Sequence, residues 1–458
     1  MVGFEKCMAL VFSLMILGQA YCVRRVVGTW LFPACLFGLF WFCNTFIGLA
    51  VLFWVPADPF AIGFIFLCTL AFSVGSLAFD WKSAFETNTR KRETAALVYS
   101  SPFLKGAFYL STLLSLAFLV LNSYAQGIPV HDLIFDLQAS AATYTALRYS
   151  DSININIFGQ FNIVCAYLSA ILGGFLFSCM TTKTGRRLIL VLSFLSSILA
   201  TVTQSNKGIL FLSIAFFYGG ILVCRAAAGK LRLLDKGSIK SVTIYVAILI
   251  PIVITSFLSR GLYDIDDNLF VLNRLISYSA SYTFGHIYAF SDWFAFIIRR
   301  HSELVYPRDS SSHGFYTFMA LFRLCGSRKV VPPGYFDDYY SYGDLLKTNI
   351  FTMFRGLILD FGFTGSLLFM FATGLLLHWA FRAMLVKIRP VFSVAVFVLM
   401  IGYFYTSFLI SVLVWNSFYV TFVMLWMVLQ INHLTLRTGR LQFAPPGSPA
   451  VVSPRLRS

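Results

Sequence analysis

Four arginines, Arg148, Arg260, Arg274 and Arg355, each stand at or near the end of an apolar stretch long enough to cross a bilayer. A guanidinium fork binds phosphate bidentately and keeps its charge at any physiological pH. Arginines in this position suit a lipid diphosphate headgroup, and they equally suit snorkelling to phospholipid phosphates. Arg355 is followed five residues later by Asp360, at the mouth of the next apolar run. Their spacing also permits a mutual ion pair. His286, Asp292, Glu303 and Asp360 are the groups in this part of the chain that can take a proton from a hydroxyl. Tyr282, Trp293 and Tyr316 offer flat rings that stack on the apolar faces of sugars, or that sit in an interfacial aromatic belt. Asp337-Asp338, followed by Tyr339-Tyr340, reads as a solvated turn rather than a metal site. Neither a CxxC nor an HExxH pattern occurs among the nine Cys and six His, so no metal and no cofactor is expected.

The elements that position these residues are membrane spans. Of 458 residues, 58% are hydrophobic and only 12% charged, with 50 Phe and 22 Tyr; a soluble domain carries about 25% charged residues. A span needs about 20 apolar residues. Windows of that kind run over 7–23, 29–54, 60–79, 104–125, 158–179, 187–204, 208–224, 241–258, 361–381, 391–412 and 415–434. Backbone polar groups in lipid must be satisfied locally, so the spans are helices. The expected fold is therefore all-α and polytopic, with about eleven transmembrane helices (ten to twelve). The first window also admits a signal peptide ending at Gly18-Gln19-Ala20, although Arg24-Arg25 reads better as a cytoplasmic anchor.

The net charge of +16 does not point to nucleic acid, because Lys and Arg fall in short clusters between the spans. With the C-terminus inside, 21 Lys and Arg lie in the cytoplasmic connections and two, Arg148 and Lys207, in the short outer ones. Lys6 fits this parity poorly, since it would favour the cytoplasm. The organisation that follows is spans one to eight over 1–258, with a smaller outer loop at 126–157. A large outer loop at 259–350 comes next, then spans nine to eleven over 351–434 and a basic disordered cytoplasmic tail at 435–458. The large loop is rich in Tyr, Phe, Asp and Arg, and segments such as Phe290–Ile298 look amphipathic. Short helices lying on the outer membrane surface are expected there. The spans hold no chain of Asp, Glu or His and no internal repeat, which disfavours a proton-coupled carrier.

Thr348-Asn349-Ile350-Phe351-Thr352 through Arg355, then Asp360-Phe361-Gly362 and Gly365-Ser366-Leu367, resembles the signature of the O-antigen polymerase (Wzy) family of oligosaccharide repeat unit polymerases. Gly285 through Phe290-Ser291-Asp292-Trp293-Phe294, and Gly314-Phe315-Tyr316-Thr317-Phe318, resemble further blocks of that family. Ten residues separate Arg274 from Gly285, similar to an Arg-x10-Gly pattern of its periplasmic loops; nine separate Arg355 from Gly365, one short of it. The resemblance covers about 260–375. It implies a glycosyltransferase of the bacterial inner membrane, with its active site facing the periplasm. Such an enzyme moves a glycan from undecaprenyl pyrophosphate onto a lipid-linked repeat unit and builds O-antigen or a related surface polysaccharide in lipopolysaccharide biosynthesis. Its partners would be those glycans, membrane lipids, a chain-length regulator and the flippase of the pathway. On this resemblance Arg274 and Arg355, supported by Arg148 and Arg260, hold the pyrophosphate. His286, Asp292, Glu303 or Asp360 takes the proton, and Tyr282, Trp293 and Tyr316 orient sugars. An O-antigen ligase would share the arginine chemistry, whereas a lipid-linked oligosaccharide flippase would want a charged cavity within the spans.

Overall fold

The computed structural model describes residues 2–89, 98–150, 152–204, 206–233, 250–251, 253–258, 262, 265–299, 306, 312–329, 336–387 and 390–442. In chain order the helices are α1 (Val2–Val27), α2 (Pro33–Val51), α3 (Pro59–Val74), α4 (Trp81–Thr89), α5 (Pro102–Ala125), α6 (Val130–Phe135), α7 (Leu137–Tyr149), α8 (Ile157–Cys179), α9 (Lys183–Gln204) and α10 (Lys207–Ala227). They are followed by α11 (Asn268–Thr283), α12 (Gly285–Arg299) and α13 (Phe315–Leu324). A hairpin of β1 (Tyr340–Tyr342) and β2 (Leu346–Thr348) comes next, then α14 (Thr352–Val386), α15 (Val391–Thr406) and α16 (Asn416–Gln442). Local signals set many of the starts. Proline occupies the first turn of α2, α3 and α5, where its missing N–H costs nothing. Asp58, Ser101, Asn156 and Asp267 accept hydrogen bonds from the first turns of α3, α5, α8 and α11.

Among the described residues, nine helices are long and apolar enough to cross a membrane, and α15 is a shorter apolar helix of 16 residues. The expected span at 241–258 lies mostly outside the described residues. Interior helices approach closely through small residues. A Cβ at Gly174 on α8 would meet the Phe217 carbonyl of α10, and one at Gly374 on α14 would meet the Phe72 carbonyl of α3. Glycine is what lets these backbones touch without lipid between them.

The two ends of the bundle differ. Thr29, just past α1, donates to the Leu231 carbonyl, just past α10. These segments bring Arg24, Arg25, Arg225, Lys230 and Arg232 to one end. At the other end Lys6 is fully buried and donates to the Val55 carbonyl and the Tyr288 hydroxyl, both at 2.8 Å. The Tyr288 ring lies 4.4 Å from its ammonium. Lys6 is therefore held by protein acceptors that replace water, at the end opposite the basic cluster.

The fold is all-α as expected, and within it residues 340–348 form a small antiparallel hairpin in which Tyr340 faces Thr348 and Gly343 turns with φ +49°. Finer expectations are corrected. The Phe290–Ile298 segment turns most of its apolar face into the protein, leaving Ile297 and Ile298 exposed at its end. α12 buries Ile287, Tyr288, Ala289, Phe290, Trp293 and Phe294 among α2, α3 and α14. An amphipathic pattern specifies an apolar partner without saying whether it is lipid or helix ends. The tail also starts later than 435, because α16 continues through Gln442; residues 443–458 lie outside the described residues.

Candidate functional site

The site is organised by a break in α14. Gly362, at φ +68° and ψ −176°, interrupts the helix and separates a short segment, 352–361, from the long apolar one that follows. Every residue from Thr352 to Asp360 is buried. Thr352 itself has φ +66°, which is costly for a β-branched residue. It is held there by its neighbour, whose Met353 amide donates to the Ser407 carbonyl at 2.9 Å, and by the Phe354 amide donating to its own hydroxyl at 3.3 Å.

Arg355 projects from this segment into an aromatic enclosure. Its guanidinium carbon lies 4.0 Å from the Phe336 ring centre, 4.2 Å from Phe351, 5.1 Å from Trp293 and 5.7 Å from Tyr306. Nη2 donates to Asp338 Oδ2 at 2.6 Å. The arginine side chain is 1% exposed and the aspartate 17%. Cation–π contact and a charge-assisted bond thus replace the water that the guanidinium loses. Beside it Tyr306 donates to Asp292 Oδ2 at 2.7 Å. Burial first, and then the Asp292 carboxylate, hold the Tyr306 phenol far above its ordinary range, so it remains a donor. Asp292, Tyr306, Arg355 and Asp338 are one electrostatic cluster. Tyr316 stacks on Phe336 at 5.3 Å and closes the enclosure on the α13 side.

Asp360 is near in sequence and serves a different purpose. Its carboxylate accepts the backbone amides of Tyr316 at 3.1 Å and Thr317 at 2.6 Å, and the Ser312 hydroxyl. It therefore caps the start of α13, whose own N-cap residue, Gly314, has no side chain to offer. The pairing of Arg355 with Asp360 that their spacing permits is replaced by pairing with Asp338. The adjacent aspartates are accordingly not a solvated turn: Asp337 is exposed, whereas Asp338 is an ion-pair partner.

The remaining expected residues are dispersed. Arg274 is exposed on α11, 5.2 Å from the Phe270 ring. It opens into a cleft of about 460 Å³ shared with Asn273, Ser277 and Asp344. Arg148 is exposed, stacks on Tyr144 at 5.6 Å and donates to the Gln204 carbonyl at 3.3 Å. Tyr282 lies with Phe257 and Lys207, whereas Trp293 and Tyr316 border Arg355. Trp293 is buried behind the guanidinium rather than open to a ligand. Arg260 and Glu303 lie outside the described residues. Sequence reasoning missed Tyr306 and Phe336, for which only general aromatic richness gave a signal, and gave no role to Phe351 although it stands in a resembling block. Among the described residues no group of three or more His, Cys, Asp or Glu is placed to hold a metal ion.

His286 is 1% exposed, with its ring 5.0 Å from that of Phe408. Among the described residues neither ring nitrogen has a hydrogen-bond partner. Burial pushes its pKa down to about 3, so the ring is neutral at physiological pH. The unfolded chain then binds a proton that the folded one does not, and stability falls as pH drops from about 6.5 towards 3. His286→Phe is expected to flatten that acid limb in thermal unfolding of the detergent-solubilised protein. An unchanged acid limb would show that the loss arises elsewhere.

Compared with family models, with curated proteins and with solved structures, the chain gives no match. What the fold defines is a class: an all-α chain whose many long apolar helices mark a multi-pass membrane protein, with a buried arginine cluster at the end opposite its basic face.

Proposed function

We propose that this protein polymerises lipid-diphosphate-linked oligosaccharide repeat units by glycosyl transfer on the outer face of the bacterial inner membrane. The observation that carries the reading is convergence. Three separated blocks that resemble the O-antigen polymerase family meet around Arg355. Trp293 of the first block lies at its guanidinium. Asp360 of the third caps the helix begun by the second. Gly285 packs directly on Thr348. Blocks far apart in the chain meet in this way when they build one site.

In the reaction an acceptor sugar hydroxyl attacks the anomeric carbon of the donor glycan. A C–O bond forms there, the C–O bond to the diphosphate breaks, and the lipid diphosphate leaves. Asp292, oriented by Tyr306, takes the hydroxyl proton. Arg274, solvent-open in its cleft, receives the diphosphate. Arg355 is held by Asp338 and acts on the local field and on the placement of the 336–338 segment. No nucleotide sugar is required, in keeping with the absence of a Gly-rich phosphate loop from the sequence.

The positive-inside rule puts the basic end in the cytoplasm and the Arg355 end outside. Cys325, exposed at the end of α13, reports on this. With the other eight cysteines replaced, an impermeant maleimide is expected to label Cys325 in intact spheroplasts. Labelling only after lysis would place the cluster in the cytosol and remove the reading. Function itself is tested by complementing a polymerase-null strain. A restored polysaccharide ladder supports the proposal, and single-repeat material alone overturns it. Polymer that still forms when this chain is absent, but stays on its lipid carrier, would indicate a ligase.

A further inference from the structure

A second cavity opens at the same end of the bundle. It has a volume of about 270 Å³ and is bordered by Gln160 on α8, Asn206 before α10, Arg323 on α13, Tyr405 on α15, and Trp415 and Asn416 at the start of α16. Three of these are side-chain amides. Among the described residues none of the three makes a hydrogen bond within the protein through its side chain. Asn206 is the clearest case. It occupies the N-cap position of α10, where an Asn normally accepts from the first turn, and its side chain does not do so. Each amide offers two donors and an acceptor, and with Gln160 and Asn416 exposed and Asn206 half-buried these groups are free to bond a ligand that enters the hollow.

The chemistry that matches is a sugar. Each hydroxyl both donates and accepts, as does each amide, and the Trp415 indole and Tyr405 phenol supply rings for the apolar faces. One arginine among three neutral amides is a poor match for a diphosphate, which wants several cations. The volume is at the small end for a ligand pocket, so it suits one or two sugar rings and excludes a polyprenyl tail.

The position relates the cavity to the first site. α13 carries Tyr316 at the Arg355 enclosure and Arg323 at the cavity. Seven residues at a rise of 1.5 Å put these points roughly 10 Å apart along the helix. Thr406 borders the cavity, and the next residue, Ser407, holds Met353 at the start of the Arg355 segment.

We propose that this cavity is a neutral-saccharide subsite that seats sugar rings of one substrate beside the Arg355 cluster. Its assignment to a glycosyl-transfer substrate rests on the function proposed above; its affinity for saccharide does not. The test uses the full-length protein in nanodiscs and saturation-transfer difference NMR. The probes are methyl glycosides of common neutral hexoses and N-acetylhexosamines, and glycans released by mild acid from the lipid-linked pool of the source cells. Transfer to ring protons is expected with at least one probe. The apparent Kd should rise about fivefold or more in Gln160→Ala/Asn416→Ala, two exposed positions whose truncation removes hydrogen bonds without disturbing the core. Silence across all the probes, transfer unchanged in the double variant, or displacement by inorganic pyrophosphate instead of saccharide would each overturn the proposal. Saccharide binding combined with failed complementation would sink the polymerase reading and leave the subsite standing.

Discussion

Arg355→Ala is expected to abolish the long-chain polysaccharide ladder and to destabilise the folded protein by about 3–5 kcal/mol, the usual cost of removing one member of a buried ion pair. The guanidinium is 1% exposed and bonded to Asp338 at 2.6 Å. Its loss leaves a partly buried carboxylate without its cation and leaves four aromatic rings facing a void. Arg355→Lys is not a conservative change here. A lysine ammonium is more strongly hydrated and lacks the planar fork that stacks between Phe336 and Phe351. It too is expected to lose the ladder, with a smaller loss of stability. A merely structural role is separated by the double variant Arg355→Met/Asp338→Leu. Replacing both charges with apolar groups should recover most of the thermal stability, because no unpaired charge remains. The ladder should stay absent if the charges act in the reaction. A stable double variant with a normal ladder would reduce the cluster to a structural staple.

Asp360→Ala is expected to cost about 3 kcal/mol, because one buried and one partly buried backbone amide and a hydroxyl lose their shared acceptor. The effect should be local before it is global. Hydrogen exchange at Tyr316 and Thr317 should accelerate, while the amides of α8 and α10 keep their protection. Asp360→Asn retains one carbonyl oxygen and is expected to lose about half as much. Since Tyr316 closes the Arg355 enclosure, loosening the start of α13 should also lower ladder length in cells. Unchanged exchange at residues 316 and 317 in the Ala variant would show that the carboxylate does not fix this helix.

Both expectations depend on contacts that sequence spacing left open. Arg355 and Asp360 are five apart on one short helical segment, a spacing read as also permitting a mutual ion pair. They separate because five residues turn a helix well past one face. One side chain is thereby directed to the 336–338 segment and the other to the start of α13. Asp338 was equally hard to find. Adjacent aspartates beside tyrosines read as a solvated turn, and only the fold of 336–351 brings one of them against a guanidinium. Lys6 shows the converse. Its charge, read alone, argued for cytoplasm, whereas the Val55 carbonyl and the Tyr288 hydroxyl make burial tolerable at the opposite end.

The sequence by itself determined the class. Apolar windows of bilayer length, proline and Asx or Ser signals at helix starts, and clustered Lys and Arg are local properties, and hydrophobic transfer acts on them segment by segment. It also pointed to the region around Arg355, since the resembling blocks carry Trp293, Tyr316, Arg355 and Asp360. Only the tertiary structure decided which of those residues meet. Partners such as Asp338 with Arg355, Tyr306 with Asp292, and the amides of Gln160, Asn206 and Asn416 around one cavity are far apart in the chain. Their encounter is set by how helix ends and a broken helix pack, and no local propensity encodes that packing.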